Sequence, residues 1–202
     1  MASPIDAFLQ QNLEDYIAEL KRLCAQPSVS ARSEGTRECA ELVIDLLKKH
    51  GFRVQRFETP GNPVIVGHAD GRSARTLLFY NHYDVQPPEP LDLWITPPFE
   101  PTIRDGALYA RGAKDDKGEL IARLAAVDAV RAGHDGALPC SVAFVVEGEE
   151  EIGSPHIARF VQENLGLLRC HGAIWEEGDI NPSGSPIALF GGTRGLGSRA
   201  LR

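Results

Sequence analysis

The sequence predicts an α/β fold in which helices cover both faces of a mostly parallel sheet. Two kinds of segment alternate along the chain. Short apolar runs, such as residues 76–80 and 142–146, are typical of strands that are buried on both faces. Longer segments between them carry apolar residues at every third or fourth position, as amphipathic helices do. This alternation is characteristic of βαβ units, and it predicts a three-layer α/β/α sandwich.

Each helix is assigned from an apolar stripe, and each strand from a run of aliphatic and aromatic residues. Short polar segments separate these elements. In chain order the predicted elements are a helix from near Ile5 to near Cys24, a helix from near Gly35 to His50, strands at 52–57 and 63–66, a strand beginning at Thr76, a hairpin around Asp105 and Gly106, a helix over 120–130, a strand at 142–146, a helix near 155–165 and a strand at 173–175.

Glycine and proline set several of the predicted boundaries. Pro27 interrupts the first helical pattern, and Gly51 supplies a left-handed cap after the second helix. Residues 69–72 contain an Asp-Gly pair and are interpreted as the turn into the central strand. Residues 87–101 are rich in proline, so a loop is expected there.

Composition places the chain among ordinary soluble proteins. Its 202 residues are 43% hydrophobic and 24% charged, which is enough for the core of one domain or most of one. The net charge of -7 argues against nucleic acid and anionic membranes as partners. The four cysteines lack the spacing of a thiolate zinc site, so buried thiols in a reducing compartment are expected. No leader pattern or spanning apolar run is found, and a cytoplasmic location is the expectation.

Potential metal ligands lie where predicted strands end. Open α/β sheets bind ligands at the carboxyl ends of their strands, so side chains at these positions are expected to converge. The candidates are His82 and Asp84 after the strand at 76–80, Asp115 and Asp116 before a helix, the acidic run 147–151, and Glu176 with Glu177.

Each of these groups also has a plainer interpretation. His82 and Asp84 could be a surface histidine beside a turn residue. Asp115 and Asp116 could cap the helix that follows, where the positive end of the helix dipole would stabilise their negative charge. The glutamates of 147–151 could be fully solvated instead of sharing a cation.

The combination of ligand types favours a catalytic metal site. Imidazole and several carboxylates without cysteine suit Zn²⁺, Mn²⁺ or Co²⁺ better than a closed structural zinc site, which is rich in thiolates. An aspartate that bridges two ions, with histidine and acids around them, is the arrangement of a two-metal hydrolase. One carboxylate must then stay unligated to act as the base.

The motifs around these residues resemble those of one family. The matching segments are 80–87 (YNHYDVQP), 94–99, 104–112 (RDGALYARG) and 115–118 (DDKG). In this order they resemble the di-zinc amidohydrolases, which include carnosinase-type dipeptidases, aminoacylases, acetylornithine deacetylase and succinyl-diaminopimelate desuccinylase. Trp94 and the 115–118 run are most similar to the dipeptidase branch. The resemblance implies the first part of a zinc-exopeptidase-like catalytic domain.

The same resemblance implies a set of metal ligands. His82 would bind one ion, and Asp115 would bridge two. Glu151 and Glu176 would be further ligands, one on each ion. The implied cofactor is Zn²⁺, two ions per full site, with Mn²⁺ or Co²⁺ as substitutes.

Three further features of the site are implied in the same way. Asp84 would orient His82 by contacting the ring nitrogen that does not bind metal. Glu150 would be the general base. A cis peptide bond without proline would join Asp115 to Asp116.

These inferences predict a metal-dependent hydrolase that cleaves the amide bonds of dipeptides or small peptides. The alternative enzyme is an N-acyl-amino-acid deacylase, because the same centre serves both reactions. The alternative from another class is a non-catalytic metal-binding fragment. The expected partners are the small substrate and, for the full-length protein, a second copy in a homodimer.

One ligand of the family pattern is missing from the sequence. Family members are longer, with a dimerisation domain, and their last metal ligand is a histidine near the far end. His134, His156 and His171 lie in no matching motif, and the sequence given stops at Arg202. Residues 1–202 are therefore expected to be the N-terminal part of the catalytic domain.

We expect the 202-residue chain by itself to bind one divalent ion but to hydrolyse dipeptides poorly or not at all. An ion that lacks a ligand gives up part of the charge stabilisation that makes water nucleophilic. The measurement is hydrolysis of a panel of dipeptides and N-acetyl amino acids with added Zn²⁺, Mn²⁺ or Co²⁺, with the full-length protein as the positive control. Similar turnover by both would contradict this, and His171 and His156 would be substituted first.

Overall fold

The computed structural model of the protein describes residues 3–175. Its helices are α1 (Pro4–Ala25), α2 (Thr36–Lys49), α3 (Lys117–Ala132) and α4 (Ile157–Glu163). Its strands are β1 (Arg53–Phe57), β2 (Val64–Ala69), β3 (Gly71–His82), β4 (Thr102–Arg104), β5 (Ala107–Tyr109), β6 (Leu138–Glu147) and β7 (Gly172–Ile174). Short 3₁₀ turns lie at Ser30–Arg32, Leu91–Leu93 and Glu150–Ile152.

Helices α1 and α2 closely match their predicted bounds because their ends carry clear signals. Ser3 and Asp6 form a reciprocal capping box at the start of α1. After α2, Gly51 takes the left-handed conformation that the sequence predicts, with φ of 79°. Helix α4 is shorter than predicted and ends at Glu163; a separate turn follows, in which the backbone carbonyl of Asn164 accepts the N–H groups of Leu167 and Leu168.

Strand β3 begins earlier than the sequence indicates. The chain reverses within the predicted turn at 69–72, but the turn is tighter than predicted, since β2 ends at Ala69 and β3, which runs in the opposite direction along β6, begins at Gly71. The added residues are mostly exposed and polar, so they lack the apolar signal of a buried strand. They are strand because they pair with the start of β6, where Gly71 lies opposite Leu138. A side chain at Gly71 would meet the backbone of Cys140.

Five of the described strands form the central sheet in the order β1-β2-β6-β3-β7. Strand β3 pairs in parallel with β6 and with β7. Strands β1 and β2, and β2 and β6, pair antiparallel. The strands that precede the predicted ligands are therefore the parallel ones. Strands β1 and β2 are predicted from the sequence, but their antiparallel direction is not.

Helices cover both faces of this sheet, as the sequence predicts. On one face, Val142, Phe144 and Val146 of β6 pack in the large core that α1, α2 and α3 close. On the other face, Val145 packs in a smaller cluster with Phe160 of α4. Alternate residues of one strand therefore face different helical layers, and the three-layer α/β/α class is confirmed.

The segment between β3 and α3 carries a hairpin and a proline-rich loop, both of which the sequence predicts. Strands β4 and β5 pair through Asp105 and Gly106, which have φ of 50° and 78°. In the loop, the indole N–H of Trp94 donates to the carbonyl of Pro88 at 2.7 Å. The Arg111 guanidinium lies over the Trp94 ring, with 5.5 Å between the guanidinium carbon and the ring centroid.

All four cysteines are free thiols. Cys24 and Cys39 are buried, and Cys140 and Cys170 are partly buried. None of the helices in residues 3–175 is both long and apolar enough to cross a membrane.

A buried polar network joins the three helices on the large face of the sheet. His50, at the end of α2, is only 7% exposed. Its Nδ1 lies 2.5 Å from an oxygen of Asp128 in α3, and its Nε2 lies 3.0 Å from an oxygen of Glu19 in α1. Burial alone would lower the pKa of His50, but the hydrogen bonds and charges of Asp128 and Glu19 outweigh it and raise the pKa. Tyr16 and Arg131 also donate to Asp128.

We expect His50→Gln to lose stability in a manner that depends on pH. A histidine with a raised pKa in the folded state stabilises the fold fully below its unfolded pKa of about 6.5. That contribution disappears as the pH rises through the folded-state pKa. The melting temperature of the variant should therefore fall furthest below wild type near pH 5.5 and approach it near pH 9.

The measurement is thermal unfolding of both chains across that pH range. His134→Gln is the matched control, because His134 is exposed at the end of α3. A His50→Gln deficit that stays the same at every pH would contradict the prediction.

Candidate metal centre

The site begins with the parallel pairing of β3 and β6. His82 is the last residue of β3, and it lies opposite Glu147, the last residue of β6. The segments that leave the two strands therefore start side by side. The N–H of Tyr83, just past His82, donates to the Glu147 carbonyl at 2.8 Å and continues the pairing.

Three of the predicted ligands converge at this edge of the sheet. One donor atom each from His82, Asp115 and Glu151 lies within 4.8 Å of the other two. One of these contacts, of 2.9 Å, joins Nε2 of His82 to Oδ1 of Asp115. The His82 side chain is fully buried, whereas that of Asp115 is 68% exposed. The three groups thus line a site that solvent reaches from one side.

The contacts of His82 determine which ring nitrogen faces this cluster. Its Nδ1 lies 3.0 Å from the backbone carbonyl of Asp84. A carbonyl only accepts hydrogen bonds, so Nδ1 carries the proton in the neutral ring. Nε2 is the nitrogen that faces Asp115 and Glu151: to a cation there it would present its lone pair, whereas a direct contact of 2.9 Å with the Asp115 carboxylate needs a proton on Nε2.

Asp84 is buried and contacts the second acidic segment more closely than it contacts the imidazole. Its two carboxylate oxygens accept the backbone N–H groups of Glu150 and Glu151, at 3.2 and 3.1 Å. The carboxylate also lies 3.4 Å from Nδ1 of His82. Asp84 therefore links the segment after β3 to the segment after β6.

Glu150 lies beside the three converging groups but is not one of them. Its Oε2 is 3.9 Å from Nε2 of His82, and its side chain is 33% exposed. Glu150 and Glu151 share one 3₁₀ turn that Gly153 ends with φ of 88°. The two adjacent glutamates thus occupy different positions: Glu151 belongs to the donor cluster, and Glu150 lies beside it.

Asp116 contributes to the site as a structural group and not as a ligand. The peptide bond between Asp115 and Asp116 is cis, as the family resemblance implies. The buried Asp116 carboxylate accepts the side-chain amide of Asn81 at 2.7 Å and the backbone N–H of His82 at 2.9 Å. It makes no side-chain cap for α3, so the capping interpretation is wrong for its carboxylate. Asp116 instead fixes the end of β3 against the loop that carries Asp115.

Hydrogen bonds and burial shift the pKa values of several acidic side chains at the site. A hydrogen bond with His82 holds the pKa of Asp115 below its usual range, although partial burial opposes this. Burial raises the pKa of Glu151, and a hydrogen bond from Gln86 works against the rise. Burial raises the pKa of Asp116 to about 7, with His82 and Asn81 limiting the shift. The ligand cluster is therefore a crowded acidic site with one imidazole at its centre.

The acidic run 147–151 does not act as one group. Glu147 is buried and accepts the hydroxyls of Tyr80 and Ser154 at 2.6 and 2.8 Å. Glu149 is also buried, and its carboxylate lies 2.6 Å from Nδ1 of His156. Both glutamates are bonded within the protein, and neither belongs to the converging donor cluster. Full solvation, one of the two sequence interpretations, is therefore wrong for Glu147 and Glu149.

Other sequence candidates lie elsewhere or outside the described residues. Nδ1 of His171 accepts the N–H of Thr76 at 3.1 Å, and Nδ1 of His134 lies 2.7 Å from the Val130 carbonyl. Neither histidine belongs to the converging group. The predicted ligand Glu176 falls outside residues 3–175.

A contact that sequence reasoning missed involves Gln86. Its side-chain amide donates to a carboxylate oxygen of Glu151 at 2.7 Å and to the backbone carbonyl of the same residue at 3.1 Å. A signal was available, since residues 82, 84 and 86 alternate along an extended segment and share one side of it.

Comparison with known families decides what kind of protein carries this site. Residues 78–188 match the sequence model of peptidase family M20/M25/M40. The match covers more than half of the chain and includes every converging residue. The chain belongs to this peptidase family. The expected resemblance to metal-dependent amidohydrolases of the dipeptidase type is confirmed at the level of this family.

Solved structures of larger proteins are similar to the chain. The M20 family metallo-carboxypeptidase Sso-CP2 from Sulfolobus solfataricus is 36% identical with a TM-score of 0.79, and the match covers 85% of this chain and 39% of that one. Human carnosine dipeptidase 1 is 27% identical with a TM-score of 0.78, covering 86% and 40%. The di-peptidase Dug1p from Saccharomyces cerevisiae is 26% identical with a TM-score of 0.77, covering 86% and 40%. This member of family M20 thus spans about two fifths of the length of these proteins.

The residues present fit a divalent metal ion. One imidazole nitrogen and two carboxylate oxygens lie within 4.8 Å of one another, which is a donor set for ions such as Zn²⁺, Mn²⁺ or Co²⁺. A cation among these groups would also offset the repulsion between the acids.

We expect His82→Ala to weaken the binding of divalent metal ions strongly. Loss of a residue that only supports a ligand typically weakens binding ~10–100-fold, and loss of a ligand itself should exceed this. The variant removes the only imidazole of the converging group and leaves its acids in place. Binding to wild type should also weaken from about pH 7.5 to about pH 5.5, because protons compete for the ligands. Direct titration with Zn²⁺ and Co²⁺ measures both effects.

His134→Ala is the matched control, since it removes an imidazole outside the cluster. Equal affinities for wild type and His82→Ala would show that the ion is held elsewhere.

Proposed function

We propose that the protein is a metal-dependent hydrolase that cleaves the amide bonds of dipeptides or small peptides. The observation that carries this proposal is the convergence of His82, Asp115 and Glu151 with Glu150 beside them, in a member of a peptidase family. A peptidase of this kind needs ligands for an ion and a separate base, and the cluster offers both sets of groups.

In this proposal His82, Asp115, Glu151 and Glu176 would hold two metal ions. Bound there, the ions would polarise the scissile carbonyl and lower the pKa of water. The hydrogen bond that Nδ1 donates to the backbone carbonyl of Asp84 favours the tautomer of His82 that would present Nε2 to an ion. Asp84 holds the backbone of Glu150 and Glu151 in place through both of its oxygens.

Glu150 is the proposed general base. Its carboxylate lies 3.9 Å from His82 Nε2, which is close enough to reach a water molecule beside the ligands. It takes a proton from the attacking water and later gives that proton to the leaving amine. Its side chain is partly exposed, so substrate and water can approach it.

The substrate class is proposed from the similar structures. Two of them are named as dipeptidases and one as a carboxypeptidase, and all share the fold of this chain. An N-acyl-amino-acid deacylase remains the alternative, because its reaction uses the same groups on the same kind of bond. A panel of dipeptides beside N-acetyl amino acids separates the two.

A non-catalytic metal-binding role is the alternative from another class. The described residues supply three converging donors, fewer than a two-metal site with Glu176 and a further histidine would have. Metal content measured beside turnover distinguishes the two roles. Bound metal without hydrolysis, in the full-length protein as well as in this chain, would favour the binding role.

Several finer features belong to the same proposal. Zn²⁺ is the proposed native ion, since the donors combine one imidazole with carboxylates. The full-length protein is proposed to carry a second domain and to form a homodimer, because this chain spans about two fifths of the similar proteins. A cytoplasmic location is proposed because all four cysteines are free thiols, as is usual in a reducing compartment.

We expect Glu150→Gln in the full-length protein to lower kcat by ~10²–10⁴ while metal content is unchanged. The amide keeps the size of the side chain but cannot accept the proton from water. Dipeptide hydrolysis and metal analysis of the same preparation are the two measurements.

Glu163→Gln is the control, because Glu163 is exposed at the end of α4 and pairs with Arg159. Loss of metal from Glu150→Gln would mean that Glu150 is a ligand and that the roles of Glu150 and Glu151 are exchanged.

A further inference from the structure

Gln86 contacts the metal centre although it is an exposed residue at the start of a loop. Its Nε2 lies 2.7 Å from Oε2 of Glu151 and 3.1 Å from the backbone oxygen of Glu151. Both neighbours are acceptors, so the amide nitrogen and not the amide oxygen faces them. The Gln86 side chain thus contacts both the side-chain carboxylate and the backbone carbonyl of Glu151, the candidate ligand.

The backbone on either side of Gln86 is anchored. The N–H of the buried Val85 donates to the Ser28 carbonyl at 2.9 Å. The carbonyl of Pro87 accepts from the Arg111 guanidinium at 3.1 Å. Gln86 therefore reaches Glu151 from a fixed position, which a hydrogen bond needs if it is to orient a ligand.

Gln86 completes a series along one extended segment. His82 offers a donor atom to the cluster, Asp84 binds the N–H groups of Glu150 and Glu151, and Gln86 binds the carboxylate of Glu151. Alternate residues of an extended chain project to the same side, so all three face the turn after β6. Asp84 fixes the backbone of this turn, and Gln86 is placed to fix its side chain.

We propose that Gln86 is a positioning residue of the metal centre, which acts by holding the carboxylate of Glu151 in its ligand orientation. An amide donor on one carboxylate oxygen limits rotation of the group and leaves the other oxygen as the ligand atom. The inference rests on the proposed function, because it requires Glu151 to bind metal. It adds a role for a residue that neither binds the ion nor transfers a proton.

The test is a double-mutant cycle on metal affinity in the 202-residue chain. Gln86→Met removes the amide and keeps the length of the side chain. In the wild-type background we expect Zn²⁺ and Co²⁺ to bind ~10–100-fold more weakly. In a Glu151→Ala background the same substitution should have no further effect, because the group through which Gln86 acts is gone.

Two further measurements separate positioning from general stability. The absorption spectrum of bound Co²⁺ should change in Gln86→Met, because a carboxylate that is no longer held alters the ligand geometry. The melting temperature without metal should stay close to that of wild type. Gln55→Met is the matched control, since Gln55 is exposed on β1 and should alter neither affinity nor spectrum.

The outcomes distinguish this inference from the proposed function. Unchanged affinity and spectrum in Gln86→Met, or equal losses in both backgrounds, would overturn the role of Gln86 and leave the metal site intact. Unchanged affinity in Glu151→Ala alone would remove Glu151 from the ligands and overturn both. A loss of affinity in Gln86→Met that disappears in the Glu151→Ala background supports the positioning role.

Discussion

The parallel pairing of β3 and β6 is the constraint on which the candidate site depends. Because His82 lies opposite Glu147, the two strands end at the same level of the sheet, and the chain leaves both at one edge. Asp84 can then accept N–H groups from the turn that follows β6, and Gln86 can reach Glu151. A shift in the register between β3 and β6 would break all of these contacts at once.

Buried polar groups convert this shared edge into a defined geometry. Asp116 fixes the end of β3 to the loop that carries Asp115. Lys117, the next residue, is fully buried and donates to the carbonyls of Leu23 and Gln26 at the end of α1, at 3.0 and 2.8 Å. A cation there compensates the negative end of that helix. The loop with Asp115 is thus tied to both the sheet and the helical layer, although Asp115 itself remains open to solvent.

The sequence-based errors share a physical cause. Composition and periodicity report which residues avoid water, so they miss the exposed start of β3, which is a strand because of its pairing with β6. They also treat neighbouring acids as equivalent. Glu147 is bonded to Tyr80, which is 67 residues away in the chain, and Glu149 is bonded to His156 in the segment that follows the 3₁₀ turn. Only the three-dimensional pairing of these groups separates structural carboxylates from those of the site.

The sequence by itself determined the α/β class, most helices and strands, the family, and the identity of His82, Asp115 and Glu151 as candidates, because apolar periodicity and motif order are local properties of the chain. Tertiary structure alone decided the mixed strand order, the convergence of the three donor atoms and the contacts of Asp116 and Gln86. These depend on the meeting of segments that lie more than 30 residues apart, such as Asn81 with Asp116 and Gln86 with Glu151. No local pattern encodes such distances, since they arise only when the sheet and its helical layers pack together.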